Sequence, residues 1–333
     1  MSKRFLTVLG ETKNILPLSY DFTALADGAL PSQFTGNTWA ISSGVAVNTP
    51  TEGTELLTDG GLENWTSSTN LTSWTEAIAG TSTVNQDTDA GDLHGGSSAA
   101  RLDIDASNNY AVISQVPTLS LGDWFVAKCW MKSSEATGKT GQIKNSNQYP
   151  EAGTKALTDT YAEVKFSSLK CVTAGFSVGY RNASAASSSI FVDDCSVKKL
   201  TGVYATVNAK KSDVTVKAGW TITGLSLAGI VMNMDNAATP LNYVILHHNA
   251  SAAIQLLKVV NGTPTQVYVN GAVAYVAGAT IELRKSGTTY SIYYNGSQIG
   301  TDQTISDAGI INNTIHGMFS NDGGNSVNSF FVE

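Results

Sequence analysis

The sequence holds residue types that could carry out catalysis, but their spacing does not suit it. Glycoside hydrolysis usually needs two carboxylates about 5 to 9.5 Å apart across the bond, and the sequence has no Glu-x-Asp-x-x-Glu or Glu-x-Asp-x-Glu run that would supply them from one strand. Asp103 and Asp105 have only the two-residue spacing of a strand face. His247 and His248 are adjacent, so on a strand they point to opposite faces and do not easily ligate one metal. The Gly-x-Ser-x-Gly, His-Glu-x-x-His and phosphate-binding glycine patterns are absent from the sequence. We therefore expect a protein that is not an enzyme.

The cysteines also lack a chemical pattern. Cys129, Cys171 and Cys195 are odd in number and do not have metal-ligand spacing. Each lies in an apolar strand pattern, and a free cysteine packs as a small hydrophobic residue. We expect three buried thiols.

Charge and hydropathy exclude two classes of partner. The formal net charge is -7, and Lys and Arg form no stripe on which phosphates could displace counterions. No apolar run approaches the roughly 20 residues that a membrane helix requires. Residues 1–10 begin with positive charge, but their apolar stretch is too short for a secretory signal. We expect no nucleic-acid partner, no membrane insertion and no signal peptide.

Composition indicates an all-β protein. Only 14% of the 333 residues are charged, against a usual share of about 25%. The 31 glycines, together with Ser, Thr and Asn, lie between short Val, Ile, Tyr and Phe runs, which is typical of short strands joined by tight turns. The length favours about two domains, and we expect antiparallel β-sandwiches.

Alternation predicts the strands. Residues 123–132 place Phe125, Ala127, Cys129 and Met131 on one face, and Trp124, Val126, Lys128, Trp130 and Lys132 on the other. Similar patterns predict strands at 176–181, 190–197, 241–248, 253–260, 266–269, 280–284 and 290–294. Asn or Ser followed by Gly predicts hairpin turns at 261–262, 270–271, 286–287 and 295–296.

Several motifs in the middle of the chain share the pattern of one known family. They are the Gly-Gly-Leu-Glu start within 55–65, Trp74, then 95–102, 121–132, 157–161, and the Ile-Phe-Val-Asp-Asp end at 190–197. This segment resembles the jelly-roll carbohydrate-binding modules appended to xylanases and cellulases. The resemblance implies a jelly-roll domain over residues 53–200.

The same resemblance implies a metal site. In those modules the Glu of the first motif and an Asp of the terminal pair bind a structural Ca²⁺ together with backbone carbonyls, and Ca²⁺ accepts such mixed oxygen ligands. The corresponding residues are Glu63 with Asp193 and Asp194. Alternation favours Asp194, because Asp193 has the parity of the apolar Cys195 and Val197. The alternative is an exposed carboxylate pair at the end of a strand.

A sugar site would combine an aromatic ring with planar hydrogen-bonding groups in a cleft. Trp130 lies opposite Phe125 and Cys129, on what is the concave ligand face in the modules that the segment resembles. The carbohydrate-binding residues implied in this way are Trp130, Arg181, Tyr110, Gln115 and Lys128. The alternative for Trp130 is simple packing, because a two-sheet sandwich needs large aromatic residues.

Segments on both sides of the jelly roll resemble one other fold. They are 19–22, 27–31 and 39–44 before it, and the strands from 203–207 to 329–332 after it. These segments look like the two parts of a concanavalin A-like (laminin-G-like) sandwich. We therefore predict a discontinuous sandwich over 18–52 and 201–333 that carries the jelly roll in a loop. The alternative is three consecutive units, but 35 residues at 18–52 cannot bury a sandwich core alone.

This combination, with low charge and a short leading segment, resembles tailed-phage virion proteins of the tail-fibre, receptor-binding and head-decoration type. The resemblance implies a structural protein displayed on the virion, made in the host cytoplasm, and forming a homo-oligomer on the particle. Residues 1–17 would be an attachment arm that contacts other virion proteins, and host cell-surface glycan would be the ligand. The alternative is a bacterial carbohydrate-binding protein of a polysaccharide-degrading system.

Overall fold

The structure is a computed structural model that describes residues 16–105, 109–136, 138–145, 152–170, 176–223, 226–249 and 253–333. Within these residues the chain is almost entirely β-strand, with one α-helix of four residues and one 3-10 helix of three. The all-β prediction is confirmed. No helix in this part of the chain is long and apolar enough to cross a membrane.

The elements follow one another in three groups. The first group is β1 (Leu18–Asp21), the 3-10 helix (Phe22–Ala24), β2 (Gly28–Ala29), β3 (Trp39–Ser42) and β4 (Val45–Asn48). The second group is β5 (Thr51–Glu55), β6 (Trp65–Ser67), β7 (Asn70–Leu71), β8 (Thr75–Ile78), β9 (Thr83–Asp87), β10 (Ala99–Ile104), β11 (Ala111–Gln115), β12 (Trp124–Ser133), β13 (Lys139–Asn145), β14 (Ala152–Leu157), β15 (Ala162–Leu169), β16 (Val178–Asn182) and β17 (Ser188–Thr201). The third group is β18 (Tyr204–Asn208), β19 (Thr215–Thr221), β20 (Ala228–Met234), β21 (Tyr243–His248), β22 (Ile254–Val260), β23 (Thr263–Asn270), β24 (Ala279–Ser286), β25 (Thr289–Tyr294), β26 (Ser297–Gln298), β27 (Gln303–Thr304), α1 (Ala308–Ile311), β28 (Ile315–Ser320) and β29 (Ser326–Val332).

The first and third groups form one sandwich, which we call the terminal sandwich. Sheet 1 has the order β2-β3-β4-β29-β19-β24-β25-β26, with β1 beside β29 and β27 beside β25. Sheet 2 has the order β18-β28-β20-β21-β22-β23. The first strand runs antiparallel to the last, with Leu18 opposite Val332. Buried side chains from both sheets fill the core between them, including Trp39 and Trp220 from sheet 1 and Ile230 from sheet 2.

The second group forms the central sandwich. Sheet 3 has the order β15-β12-β17-β10-β9 with β5 beside β17, and sheet 4 has the order β14-β13-β16-β11-β8. The core between sheets 3 and 4 contains Phe125, Ala127, Cys129 and Met131. The predicted alternation of this strand is therefore confirmed. Cys129 and Cys195 are free and buried, as expected, whereas Cys171 lies outside the described residues.

Two of the three Asn-Gly pairs form the predicted hairpin turns, whereas Asn270 ends β23 and residues 271–278 form a longer connection to β24 in the other sheet. Asn261 and Gly262 join β22 to β23 with φ angles of 50° and 77°, and Asn295 and Gly296 join β25 to β26 with 53° and 81°. Both residues of a two-residue type I′ turn need positive φ. The strand bounds at 243–248, 254–260 and 289–294 agree with the predicted strands to within two residues.

The two sandwiches are stacked face to face. The outer face of sheet 2 contributes Val231, Ile245 and Phe319, and the outer face of sheet 3 contributes Trp124 and Val126, to one further cluster of buried residues. The indole of Trp124 lies 4.9 Å from the ring of Phe319, measured between centroids. The layers therefore follow the order sheet 1, sheet 2, sheet 3, sheet 4.

A chain of hydrogen bonds runs through this interface. The indole Nε1–H of Trp124 donates to the hydroxyl of Tyr204 over 2.7 Å, and the hydroxyls of Tyr204 and Tyr243 lie 2.8 Å apart. Burial raises the pKa of Tyr204 to about 12. At the edge of the interface a Cβ on Gly122 would lie 3.3 Å from the Cα of Gly262. Both glycines have positive φ, so the backbones of the two sandwiches can approach closely here.

The histidines of the terminal sandwich are structural. His316 is buried; its Nδ1 accepts from the backbone N–H of Asn233 over 3.2 Å, and its Nε2–H donates to the carbonyl of Lys211 over 2.9 Å. Burial lowers the pKa of His316 to about 4, and it lowers the pKa of buried His247 to about 4. Both imidazoles are therefore neutral in the folded state at pH 7.

These histidines predict a loss of stability on mild acidification. Their folded-state pKa values lie below the unfolded value of about 6.5, so the unfolded state binds protons first as the pH falls. We expect each histidine to lower the free energy of unfolding by about 2 kcal/mol when the pH falls from 7 to 5. Urea unfolding at the two pH values measures this, and His316→Gln should reduce the difference. A pH-independent free energy of unfolding would contradict it.

The interface predicts cooperative unfolding of the whole stack. The unmodified protein should melt in one calorimetric transition. Trp124→Ala should lower the free energy of unfolding by about 3 to 5 kcal/mol and should divide the melt into two transitions. Trp65→Ala is the matched control, because Trp65 is half-buried at the periphery of the central core. Two transitions in the unmodified protein, or an unchanged melt in the Trp124 variant, would show that the sandwiches do not stabilise each other.

Candidate functional site on the central sandwich

The loop that joins β9 to β10, residues 88–98, folds onto the outer face of sheet 3 and is held there by carboxylates. Asp193 is fully buried. Its Oδ2 accepts from the backbone N–H groups of His94 and Gly95 over 2.9 and 3.0 Å, and its Oδ1 accepts from the N–H of Asp194 over 2.7 Å. Burial raises the pKa of Asp193, although the three backbone hydrogen bonds oppose that shift. The carboxylate therefore fixes the backbone of the loop.

Glu63 holds the same loop from the other side. Its carboxylate accepts from the backbone N–H of Ser97 over 3.0 and 3.1 Å, and from the Ser97 hydroxyl over 2.6 Å. Gly96 has a φ of 61°, and a Cβ there would lie only 1.5 Å from Oε1 of Glu63. Only glycine fits at this position, which explains the Gly-Gly-Ser sequence of the loop.

Asp194 lies at a β-bulge. Its φ is 46°, and the register between β12 and β17 shifts at this point, so that Lys128 faces Ser196 whereas Trp130 faces Asp193. Cys195 points into the core between sheets 3 and 4. The parity argument that favoured Asp194 over Asp193 is therefore wrong, because a bulge interrupts the alternation on which it depended.

The three predicted metal ligands do lie around one loop. Among the described residues, however, their carboxylates accept hydrogen bonds from that loop or contact its histidine. Glu63 and Asp193 accept from backbone N–H groups, and Asp194 Oδ2 lies 2.6 Å from Nδ1 of His94. The described parts of the chain contain no group of three or more His, Cys, Asp or Glu side chains arranged to hold a metal ion. The Ca²⁺ site that the resemblance implies stays a prediction, and it would need backbone carbonyl ligands in addition.

Lys132 and Tyr161 complete the attachment of the loop, and the sequence did not single them out. Lys132 is buried, and its ammonium donates to the carbonyl of Gly91 and to Oδ1 of Asp92, each over 2.6 Å. The hydroxyl of Tyr161 donates to the carbonyl of Asp92 over 2.8 Å. The available signal was the presence of two lysines, Lys128 and Lys132, on the outer face of β12.

Trp130 is covered by the loop. The imidazole of His94 stacks on its indole, with centroids 4.1 Å apart and planes 14° from parallel. Asp194 orients the imidazole through Nδ1. An aromatic ring binds a sugar through its face, and His94 occupies one face of the Trp130 ring.

The five predicted carbohydrate-binding residues do not form one site. Trp130 and Lys128 are on sheet 3, and Lys128 forms an ion pair with Glu52. The other three, Arg181, Tyr110 and Gln115, belong to sheet 4 and the segment just before β11. The guanidinium of Arg181 lies 5.4 Å from the ring centroid of Tyr110, and the Gln115 amide bonds the backbone of Thr58 in both directions. The five residues are therefore divided between two different sheets.

The carboxylates of Asp103 and Asp105 are also engaged in hydrogen bonds. Asp103 Oδ2 accepts from Nε of Arg101 over 3.1 Å and from the amide of Asn85 over 2.9 Å. Hydrogen bonds from Thr81 and Asn109 lower the pKa of Asp105. This direction is opposite to the raised pKa that a general acid needs.

Comparisons with known proteins give similarity in fold at low identity. No protein-family profile and no curated protein matches the chain. The CBM22-1–CBM22-2 tandem domain of Paenibacillus barcinonensis Xyn10C is 9% identical with a TM-score of 0.35, over 84% of this chain and 97% of that one. TmCBM61, in complex with β-1,4-galactotriose, is 18% identical with a TM-score of 0.34, over 44% of this chain and 99% of that one.

A phage protein is among the similar structures. The enzymatically active domain of tailspike protein 4 of bacteriophage CBA120 is 17% identical with a TM-score of 0.31, and the match covers 44% of this chain and 21% of that one. At these TM-scores the similarities assign the chain to no family and give it no ligand. The class of protein that the fold defines is an all-β protein of stacked antiparallel sandwiches.

Asp193 predicts a direct effect on stability. Asp193→Asn keeps the shape of the side chain but replaces one acceptor oxygen by an N–H₂ group, so at least one of the three backbone N–H groups of His94, Gly95 and Asp194 loses its acceptor. We expect the free energy of unfolding to fall by about 2 kcal/mol in urea titration. Asp159→Asn, at an exposed loop position, is the control. Equal stability of both variants would contradict the role assigned to Asp193.

The metal prediction has a separate test. If Ca²⁺ binds the folded state, excess chelator should lower the melting temperature by mass action, and Glu63→Gln should remove this sensitivity. Elemental analysis of the purified protein gives the metal content. An unchanged melt in chelator, with no metal present, would leave Glu63 with its hydrogen bonds to Ser97 alone.

Proposed function

We propose that this chain is a non-enzymatic structural protein of a phage virion that is displayed on the particle and binds host cell-surface glycan. One geometric observation carries the proposal. The sheets are stacked in the order 1, 2, 3, 4, and β1 lies in sheet 1 beside the last strand. β1, which follows residue 17, thus lies in the layer farthest from sheet 4.

This geometry suits an attachment arm. Leu16 packs against the core of the terminal sandwich, and residues 1–15 lie outside the described residues. An arm that binds other virion proteins through residues 1–17 would hold the terminal sandwich near the particle. The central sandwich would then be outermost, and copies on the particle would form a homo-oligomer.

Binding without catalysis is the second part of the proposal. Asp103 and Asp105, the carboxylates with the most regular spacing, are held by neighbouring side chains. Glu63, Asp193 and Asp194 hold the 88–98 loop. These contacts support structural roles for the acidic residues that the sequence brought forward.

A second function is favoured by a different observation. The motifs at 55–65 and 190–197 resemble carbohydrate-binding modules appended to xylanases and cellulases. We keep as the alternative a bacterial carbohydrate-binding protein of a polysaccharide-degrading system. The two proposed functions differ in the partner of the terminal sandwich and of residues 1–17, which would be other virion proteins only in the first.

Deletion of residues 2–15 tests the attachment arm. Because β1 begins at Leu18, the truncated protein should keep both sandwiches and its melting temperature, yet fail to enter particles in a complementation assay. Replacement of the same residues by a Gly/Ser segment of equal length is the control for spacing. Incorporation at normal copy number would place the attachment surface elsewhere and contradict the arm.

A further inference from the structure

A cleft of about 510 Å³ lies between the two sandwiches. One wall is formed by β14 and β15 of the central sandwich, and the other by Thr223, Ser226 and Asp322 of the terminal sandwich. Its volume falls within the range of small-molecule sites, about 300 to 1,000 Å³, and such sites occur preferentially at domain interfaces.

Two of the four sheets have outer faces that are covered. The outer faces of sheets 2 and 3 bury each other through Trp124 and its neighbours. In the described residues, four half-buried aromatic rings on the remaining outer faces each have a cation or an imidazole on one face. The pairs are Trp130 with His94, Tyr110 with Arg181, Tyr293 with Arg284 and Phe331 with Lys217.

The walls of the cleft are rich in hydrogen-bonding groups. β14 and β15 are the edge strands of sheets 4 and 3, and an edge strand presents backbone N–H and C=O groups that its own sheet does not use. One of these carbonyls, that of Glu163, already accepts from the ammonium of Lys155 over 2.8 Å. The side chains of Thr154 and Thr223 add exposed hydroxyls.

One ion pair joins the two walls. The ammonium of Lys165 lies 2.5 Å from Oδ2 of Asp322, and Oδ1 of Asp322 accepts from the backbone N–H of Gly324. This pair fixes the width of the cleft. Lys155 and Glu163 are exposed at its lining, so the four charged groups of the cleft sum to zero.

We propose that this cleft between the sandwiches is the glycan-binding site, and that its ligand is a neutral oligosaccharide; the inference rests on the proposed glycan binding. Carboxylates accept hydrogen bonds from sugar hydroxyls strongly, and the ammonium and backbone N–H groups donate to hydroxyl oxygens. An acidic or basic glycan would gain no net electrostatic attraction there, because the charges of the two ammonium and two carboxylate groups in the lining cancel. The site therefore selects hydroxyl-rich, uncharged chains.

The test uses the full chain and a panel of immobilised cellotriose, xylotriose, maltotriose, β-1,4-galactotriose and trigalacturonic acid. Lys155→Met/Glu163→Gln removes two polar groups of the cleft without touching the Lys165–Asp322 pair. Thr223→Tyr fills the cleft at an exposed position. The matched control is Lys217→Met/Glu333→Gln, because these residues form an exposed ion pair on sheet 1 with 3.4 Å between Nζ and Oε1.

We expect the unmodified protein to bind at least one neutral trisaccharide and not the acidic one. Both cleft variants should lose at least tenfold in affinity, the control should bind normally, and melting temperatures should show that all variants are folded. Normal binding by the cleft variants would overturn the cleft as the site while leaving glycan binding intact. Binding of trigalacturonic acid alone would overturn the neutral ligand. No binding to any member of the panel would overturn the proposed glycan function itself.

Discussion

The packing of Trp124 between the two sandwiches is the contact on which the rest of the structure depends. Its indole contacts Phe319 and donates to Tyr204, which in turn meets Tyr243. Without a partner, these apolar faces of sheets 2 and 3 would lie in water, and exposed patches of this kind are costly for a soluble protein. Because each face covers the other, the chain forms a stack of four layers. The position of β1 in an outermost layer and the position of the cleft both follow from that order.

This stacking changes where a ligand can bind. A jelly roll usually offers the outer face of one sheet, but here Trp124 and Val126 are buried on that face and Trp130 is stacked against His94. The 88–98 loop is held by Asp193 through two backbone hydrogen bonds, so it is a fixed part of the surface. A concave surface remains at the junction between the sandwiches, where edge strands and charged side chains meet.

The sequence predicted the elements better than the surfaces. Alternation at 123–132 correctly separated Phe125 and Cys129 from Trp124, because alternation reports which residues share a face. It does not report what covers that face, which depends on contacts between residues far apart in the chain, such as Trp124 with Phe319. The bulge at Asp194 could not be predicted either, because a single residue with positive φ hardly changes the alternation of apolar and polar residues. Glu63, Asp193 and Asp194 were brought forward by a resemblance, whereas Lys132 and Tyr161 were found only from the structure.

Nuclear magnetic resonance of the Trp124 indole tests the stacking most directly. The account predicts that the Nε1 proton exchanges slowly with solvent and shows nuclear Overhauser contacts to the ring protons of Phe319 and Tyr204. Substitution of Tyr204 by Phe should speed the exchange, because the indole loses its acceptor. Fast exchange at the rate of an exposed tryptophan, with no contacts to the terminal sandwich, would contradict the four-layer stack.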